Sequence, residues 1–222
     1  MQKMKIKAQD LFDLEGLYIA PFINSFEYPW EALLKLKEYI SEQLEHIPSG
    51  FELYKEGVLI GKDVKISKMA TINPPCIIGH GTEIRPGAYI RGEVIIGNNC
   101  VIGNSSELKS SILLNNVQVP HYNYVGNSIL GNNSHLGAGT ILSNLKSDHK
   151  CVIIHADIDY QTGMRKLGSI LGDFADIGCS CVLSPGTIIG KGTRVYPLTH
   201  VRGVVMENMI VKSTENIIPK GV

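Results

Sequence analysis

An aliphatic residue recurs at every sixth position through the middle of the chain. A short strand followed by a turn keeps this period when it is repeated, whereas an α-helix repeats its apolar face every 3.6 residues and an isolated strand every second residue. Stacked turns of this kind bury their aliphatic positions in one continuous core. The pattern therefore predicts a β-solenoid. Its predicted inward positions are Ile60, Ile66, Ile72, Ile78, Ile84, Ile90, Ile96, Ile102, Leu108 and Leu114, and the register returns at Leu171, Ile177, Leu183, Ile189, Val195 and Val201.

The region before the repeat has a different period. Residues 1–56 contain apolar side chains at the spacing of an amphipathic helix, which we predict at about 29–46. We expect this helix to pack on the end of the solenoid, and a dimer or partner contact is the alternative.

The repeat is also interrupted from within. Between the two regular blocks the register slips, and residues 143–169 show no period. Because a long loop inside a compact repeat array is usually functional, we interpret this segment as an excursion, a β-hairpin that leaves the solenoid and contacts a neighbouring subunit. The predicted organisation is an N-terminal extension (1–56), a β-helix domain (57–205) and a C-terminal tail (206–222).

Composition narrows the class of protein. Lys+Arg and Asp+Glu both number 21, so no global field favours nucleic acid or an anionic membrane. No apolar run has the length of a membrane-spanning helix and the N-terminus lacks the apolar core of a signal peptide, which predicts a cytoplasmic protein. The 5 cysteines form no paired CxxC units, and we expect reduced packing thiols and no metal site.

The stretch from His121 to Lys150 concentrates the candidate chemistry. It places a His, a Tyr, an Asn and a Lys around a Gly-Ala-Gly-Thr turn. An imidazole can accept a proton from an attacking amine near neutral pH, and cationic side chains bind phosphate groups. Acyl transfer is therefore one interpretation. The other is that these are ordinary solvated residues at the corners of a solenoid.

Five motifs carry a family resemblance: IRPGA (84–88), GNSSELK (103–109), HYNY (121–124), GAGT (137–140), and Asn144 followed by Lys150. In this order they resemble the C-terminal acetyltransferase domain of the bifunctional N-acetylglucosamine-1-phosphate uridyltransferase/glucosamine-1-phosphate acetyltransferase. The segment TGMRKLGSILGD is similar to the archaeal sugar-1-phosphate nucleotidylyltransferase/acetyltransferase branch. The resemblance covers about residues 57–205, and we expect the uridyltransferase half to be absent because no pyrophosphorylase signature is found.

The resemblance implies a fold and a set of site residues. The fold would be all-β, a left-handed parallel β-helix with an N-terminal α-helical extension, whose hand comes from the resemblance alone. His121 would be the general base, with Asn144 beside the amine and the acetyl group. The substrate would contact Arg85, Glu107, Lys109, Tyr124, His135 and Lys150, and acetyl-CoA would contact Ala138, Cys179 and Pro197. His135, Leu145 and the pair Pro197-Leu198 depart from the bacterial pattern.

The predicted function is acetyl-CoA-dependent N-acetylation of an amino-sugar 1-phosphate, with glucosamine-1-phosphate as the first candidate and no metal or covalent nucleophile required. Galactosamine-1-phosphate or a nucleotide-linked amino sugar are alternative acceptors. A third possibility is a catalytically silent scaffold or regulatory partner of a separately encoded nucleotidyltransferase. The resemblance also implies a homotrimer, with each site between adjacent subunits.

Overall fold

The computed structural model describes residues 6–221, in which parallel β-coils stack into a three-sided solenoid. Each coil contributes one short strand to each of three sheets, which we call faces I, II and III. This arrangement confirms the β-solenoid predicted from the six-residue period. The hand of the coil stays the prediction made from the resemblance.

The strands, numbered in chain order, are as follows. Face I contains β1 (Glu52–Lys55), β2 (Val58–Ile60), β5 (Cys76–Ile78), β8 (Val94–Ile96), β11 (Ser111–Leu113), β14 (Ile129–Leu130), β19 (Ser169–Leu171), β22 (Thr187–Ile189) and β25 (Val204–Val205). Face II contains β3 (Lys65–Ile66), β6 (Glu83–Ile84), β9 (Val101–Asn104), β12 (Gln118–His121), β15 (His135–Leu136), β20 (Asp176–Ile177), β23 (Arg194–Val195), β26 (Met209–Ser213) and β27 (Asn216–Pro219). Face III contains β4 (Thr71–Ile72), β7 (Tyr89–Ile90), β10 (Glu107–Lys109), β13 (Tyr124–Gly126), β16 (Ile141–Leu142), β21 (Val182–Leu183) and β24 (His200–Val201). A separate hairpin consists of β17 (Ile153–His155) and β18 (Asp159–Gln161).

The inward aliphatic positions form the solenoid core almost as predicted, with one correction. Leu113, not Leu114, occupies the inward position of its strand, where it pairs with Ile96 and Leu130. Leu114 is buried instead in a second cluster outside the solenoid. The register therefore slips one step earlier than the sequence suggested, because the coil that begins at Ile96 is one residue shorter than those before it.

That second cluster covers the outer surface of face I. Each coil offers a second aliphatic residue there, and all of these are buried: Ile77, Ile95, Ile112, Ile129, Ile170 and Ile188. The N-terminal segment supplies the cover through helices α1 (Ala8–Leu11), α2 (Ala20–Asn24) and α3 (Glu31–Glu45). Helix α3 confirms the predicted helix, but its buried residues, such as Leu36 and Ile40, join the cluster on a side of the solenoid and not on its end.

The excursion forms the predicted β-hairpin, with Ile154 paired to Tyr160. Val152 and Ile154 are buried in the same cluster over face I, and the Tyr160 ring lies 5.2 Å from that of Tyr28. The hairpin thus packs on the chain's own N-terminal segment. Its contact with a neighbouring subunit stays a prediction.

The coils continue beyond residue 205. Strand β26 pairs in parallel with β23 and extends face II, and β27 folds back on β26 as its antiparallel partner. Among residues 6–221, no helix is long and apolar enough to cross a membrane.

Candidate active site

The corner between faces II and III stacks four of the predicted site residues. His121 ends β12, and its carbonyl accepts a hydrogen bond of 3.0 Å from the backbone N–H of Gly139 in the next coil. Equivalent hydrogen bonds run from the backbone N–H of Ser180 to the carbonyl of Ala138 (2.8 Å) and from the backbone N–H of Leu198 to the carbonyl of Cys179 (2.9 Å). His121, Ala138, Cys179 and Pro197 therefore form one column, which we call the corner column. Coils rise by about 4.8 Å, so the column runs roughly 14 Å from His121.

Asn123 fixes the backbone at the start of this column. It is 3% exposed, its Oδ1 accepts the backbone N–H of His121 at 3.0 Å, and its Nδ2 donates to the carbonyl of Gly137 at 2.8 Å. The imidazole of His121 itself is exposed. A rigid backbone thus presents a side chain that a substrate can reach.

The stacking of the coils requires a glycine at position 137 of the Gly-Ala-Gly turn. A Cβ added there would lie 2.5 Å from the backbone nitrogen of Cys179 in the next coil, so a side chain would force the coils apart. Gly139 has a φ of +75°, which only glycine adopts without cost. Coil stacking therefore explains these two glycines without any appeal to a ligand.

Face III carries the next group of site residues. Glu107 and Tyr124 pair directly in adjacent strands, and Arg91 Nη1 binds Glu107 Oε1 at 2.6 Å. Burial and then the Glu107 carboxylate raise the pKa of Tyr124, so its phenol stays protonated and can donate a hydrogen bond. The Glu107 hydrogen bond also raises the pKa of Arg91.

Asn144 lies against the Tyr124 hydroxyl. Its amide is buried and donates to Asn127 Oδ1 at 2.7 Å. Gly126 makes room for this contact, since a Cβ there would lie 2.6 Å from the Tyr124 hydroxyl and 2.7 Å from Asn144 Nδ2. Tyr124 and Asn144 are therefore in contact, and their roles in a site stay predictions.

Three other predicted site residues make different contacts. Arg85 lies just before the II/III corner, two coils before His121, and pairs with Glu83 at 3.2 Å. The other two have their contacts away from the Tyr124–Asn144 pair: the ring of His135 bonds Asp176 at 3.0 Å on face II, and exposed Lys150 donates its backbone N–H to Asp148 at 3.0 Å.

Two cations near this site were not predicted as site residues. Arg91 holds Glu107, and Lys166 returns to Asn144 with the end of the excursion through a bridge to Leu145. Arg91 lies one coil before Lys109, so the period of the coils could have indicated Arg91 as a site residue. Lys166 follows a loop of no period, and only the three-dimensional path of that loop places it here.

We expect the five cysteine thiols to form two groups, one that reacts with alkylating agents and one that does not. Burial raises the pKa of Cys76 and of Cys100 to about 12 and raises that of Cys181, whereas Cys151 and Cys179 are exposed. Alkylation needs the thiolate, and a raised pKa keeps the thiol protonated at pH 8. We expect iodoacetamide to label only Cys151 and Cys179 in the native protein, as read by peptide mass spectrometry. The urea-unfolded chain should take five labels, and native labelling of Cys100 would contradict the buried core.

Comparison with known proteins finds curated relatives over most of this chain. A family model described as "GMPPB C-terminal domain" matches residues 72–173. The "Bifunctional protein GlmU" of Methanococcus maripaludis (strain C5) is 31% identical over 218 residues, which are 96% of this chain and 53% of the relative. Most of this chain is therefore similar to part of GlmU. The "Bifunctional sugar-1-phosphate nucleotidylyltransferase/acetyltransferase" of Sulfurisphaera tokodaii is 34% identical over 158 residues, 71% of this chain and 39% of the relative.

This chain spans only part of these curated relatives, about half of the first and 39% of the second. Among solved structures, a point mutant of AntD, an N-acyltransferase from Bacillus cereus in complex with dTDP and coenzyme A, aligns with a TM-score of 0.44. It is 21% identical and covers 76% of this chain and 81% of that chain.

Proposed function

We propose that this chain is an acetyl-CoA-dependent N-acetyltransferase that acts on an amino-sugar 1-phosphate, with glucosamine-1-phosphate as the preferred acceptor. The observation that carries the proposal is the corner column, which sets the exposed His121 in line with Ala138, Cys179 and Pro197, three residues before Tyr124 on the same coil. An elongated thioester donor along the column would place its acetyl group at His121. The relatives whose names include acetyltransferase support the same class of reaction.

The proposed mechanism needs only positioning and one proton acceptor. The neutral amine of the sugar attacks the acetyl carbonyl, His121 accepts the amine proton, the C–S bond breaks, and coenzyme A leaves as the thiol after protonation. Holding both reactants in line supplies much of the acceleration, and a positioned base contributes about 10²- to 10⁴-fold. The Tyr124 phenol donates a hydrogen bond to the acceptor, and the Asn144 amide orients the reacting groups.

The acceptor site is proposed to be completed in a homotrimer. Lys150, which the resemblance assigns to the substrate phosphate, contacts Asp148 within its own chain and is exposed. A neighbouring subunit would bring such a lysine to the site. Because the relatives' names pair acetyl transfer with nucleotidyl transfer, we also propose a nucleotidyltransferase as the partner activity that acts on the acetylated product.

Release of free thiol from acetyl-CoA tests the proposal. We expect turnover with glucosamine-1-phosphate, slower turnover with galactosamine-1-phosphate, and a much higher KM for unphosphorylated glucosamine, because the cationic side chains bind the phosphate. In the same preparation, acetyl-CoA should slow alkylation of Cys179 in the corner column and leave that of Cys151 unchanged. No turnover with any amino-sugar phosphate or nucleotide-linked amino sugar would refute the enzyme function.

A further inference from the structure

A cleft lies where the N-terminal segment passes the corner between faces I and II. Its volume is about 220 Å³, and its apolar lining includes Leu17, Ile19, Phe51 and Leu114. None of the described residues that line it is an Asp, Glu, Lys or Arg. The corner column lies at a different corner of the solenoid, between faces II and III, so the cleft is separate from the proposed active site.

A ladder of side-chain amides follows this corner from coil to coil. The backbone N–H of His80 donates to Asn98 Oδ1 at 2.8 Å, and that of Asn98 donates to Asn115 Oδ1 at 2.8 Å. The ladder continues through Asn132 to Asp173, with bonds of 3.1 and 2.7 Å. Because each Oδ1 must face the backbone N–H of the preceding coil, the orientation of each amide is fixed, and its Nδ2 group is left for another acceptor.

The N-terminal segment supplies such an acceptor at one coil of the ladder. There the carbonyl of Asp13 accepts a hydrogen bond of 2.8 Å from Asn132 Nδ2. One and two coils earlier, the segment and the ladder line the cleft together. At these coils the Nδ2 groups of Asn115 and Asn98 donate to no other described residue. A ligand in the cleft would accept their hydrogen bonds as the Asp13 carbonyl accepts that of Asn132.

Two more donors belong to residues that line the cleft. His80 Nδ1 accepts the backbone N–H of Lys62 at 2.8 Å, so the neutral ring carries its proton on Nε2, which lies toward Gly50. The hydroxyl of Tyr18 is buried and has no hydrogen-bond partner among the described residues. Burial raises the pKa of Tyr18 well above its usual value, so this hydroxyl keeps its proton. The Phe51 ring lies 5.4 Å from that of Tyr18 and 5.0 Å from that of His80.

We propose that this cleft binds a small carboxylate whose remaining part is an apolar ring. The amides of Asn98 and Asn115 lie in adjacent coils, about 4.8 Å apart, so each can donate to one oxygen of the same carboxylate. A carboxylate accepts about four hydrogen bonds and donates none, which suits a cleft whose unpaired amide, imidazole and phenol groups are donors. A cavity of about 150 Å³ holds benzene, so about 220 Å³ has room for a benzene ring that carries a carboxylate.

A ligand in this position would contact both the solenoid and the N-terminal segment. Its carboxylate would bind the amide ladder, and its ring would pack on Leu17 and Phe51. Binding would therefore stabilise the cover of face I, since a ligand that binds only the folded chain increases the free energy of unfolding. The inference goes beyond the proposed function and does not depend on acetyl transfer.

Ligand-observed NMR titration of the full chain with benzoate tests the proposal. We expect saturable binding of one benzoate per chain with a Kd of roughly 1 mM or below, in keeping with the size of the molecule. Benzamide has the same shape but presents an N–H₂ group to the donors, so it should bind at least about tenfold more weakly. Equal affinity for the two probes would overturn the assignment of a carboxylate, and no saturable binding of benzoate would overturn the site.

The variant Asn115→Asp tests whether benzoate binds in the cleft. Aspartate keeps the Oδ1 that accepts the backbone N–H of Asn98, as Asp173 does for Asn132, but it replaces the amide donor by a second carboxylate oxygen. We expect Kd for benzoate to rise at least about tenfold. Asn116→Asp makes the same charge change at the next, exposed residue and should bind benzoate as wild type does. Equal affinity of the two variants would overturn the proposal.

Thermal unfolding supplies a second measurement. Benzoate at ten times its Kd should raise the unfolding midpoint of wild type by roughly 3 to 6 °C, and sodium chloride at the same concentration should not. If Asn115→Asp lowers the midpoint without ligand, Asn98→Asp repeats the test, because it keeps the bond from His80 in the same way. An equal benzoate shift in wild type and in the ladder variant would contradict binding at the ladder.

Discussion

Alanine in place of His121 is expected to lower kcat for acetyl transfer by about 10²- to 10⁴-fold, the contribution of a positioned general base. Stability should change by no more than about 0.5 kcal/mol, as for other surface substitutions. Among the described residues, the His121 ring has no hydrogen bond, and only its backbone N–H and carbonyl hold the corner. The measurements are thiol release from acetyl-CoA with glucosamine-1-phosphate and thermal unfolding of the same samples.

A matched control comes from the far side of the molecule. His46 is an exposed histidine that follows helix α3, and His46→Ala should retain wild-type turnover. If His121→Ala were as active as His46→Ala, the base would have to be another group, although acetyl transfer itself would stand. If His121→Ala unfolded at a lower temperature, its loss of activity would carry no information about proton transfer.

Alanine in place of Trp30 should cost about 3 to 5 kcal/mol in the free energy of unfolding, the usual range for a buried Trp. Trp30 is 3% exposed, stacks on Tyr28 with ring centroids 4.7 Å apart, and meets the Tyr160 ring edge-on at 6.0 Å. It therefore joins the N-terminal segment to the excursion hairpin. Urea denaturation followed by circular dichroism measures the loss.

The matched control for this prediction is Leu34→Ala in helix α3, which begins directly after Trp30. Leu34 is 57% exposed, so its truncation should change stability by less than about 0.5 kcal/mol. We also expect proteases to cut Trp30→Ala faster within residues 150–165, because the hairpin loses its cover. Equal stability of the Trp30 and Leu34 variants would contradict the packing described for face I.

The six-residue period predicted the solenoid because a coil with three equal sides repeats its inward side chain at each side. The period could not decide whether Leu113 or Leu114 points into the solenoid, since both are aliphatic. The coil that is one residue shorter contains Ser110 in the left-handed conformation, with a φ of +47°. The corner column was within reach of the sequence. Once coil length is known, His121 leads to Ala138 and Cys179 leads to Pro197 by simple spacing, but the excursion breaks the spacing between Ala138 and Cys179.

The cover of face I was harder to predict. Its signal is an aliphatic pair on every face I strand from Ile77-Ile78 to Ile188-Ile189, which places an apolar side chain outside as well as inside. Such pairs indicate a sheet buried on both surfaces. The position of Lys166 had no comparable signal, because it depends on how the excursion between Leu142 and Ile170 folds back.

The N-terminal cover also constrains the order in which the chain can fold during synthesis. Its first segment bonds the far coils: the backbone N–H of Asp13 donates to the carboxylate of Asp173, 160 residues later, and Lys191 reaches Gln9 across 182 residues. Stacking within the solenoid needs neighbours only about one coil away, so the coils can form as they leave the ribosome. At about 5 to 20 residues per second, the apolar side chains of the N-terminal segment wait roughly 10 to 30 s for the far coils that they cover. We therefore expect the nascent chain, and not the finished protein, to be the form that aggregates or engages chaperones.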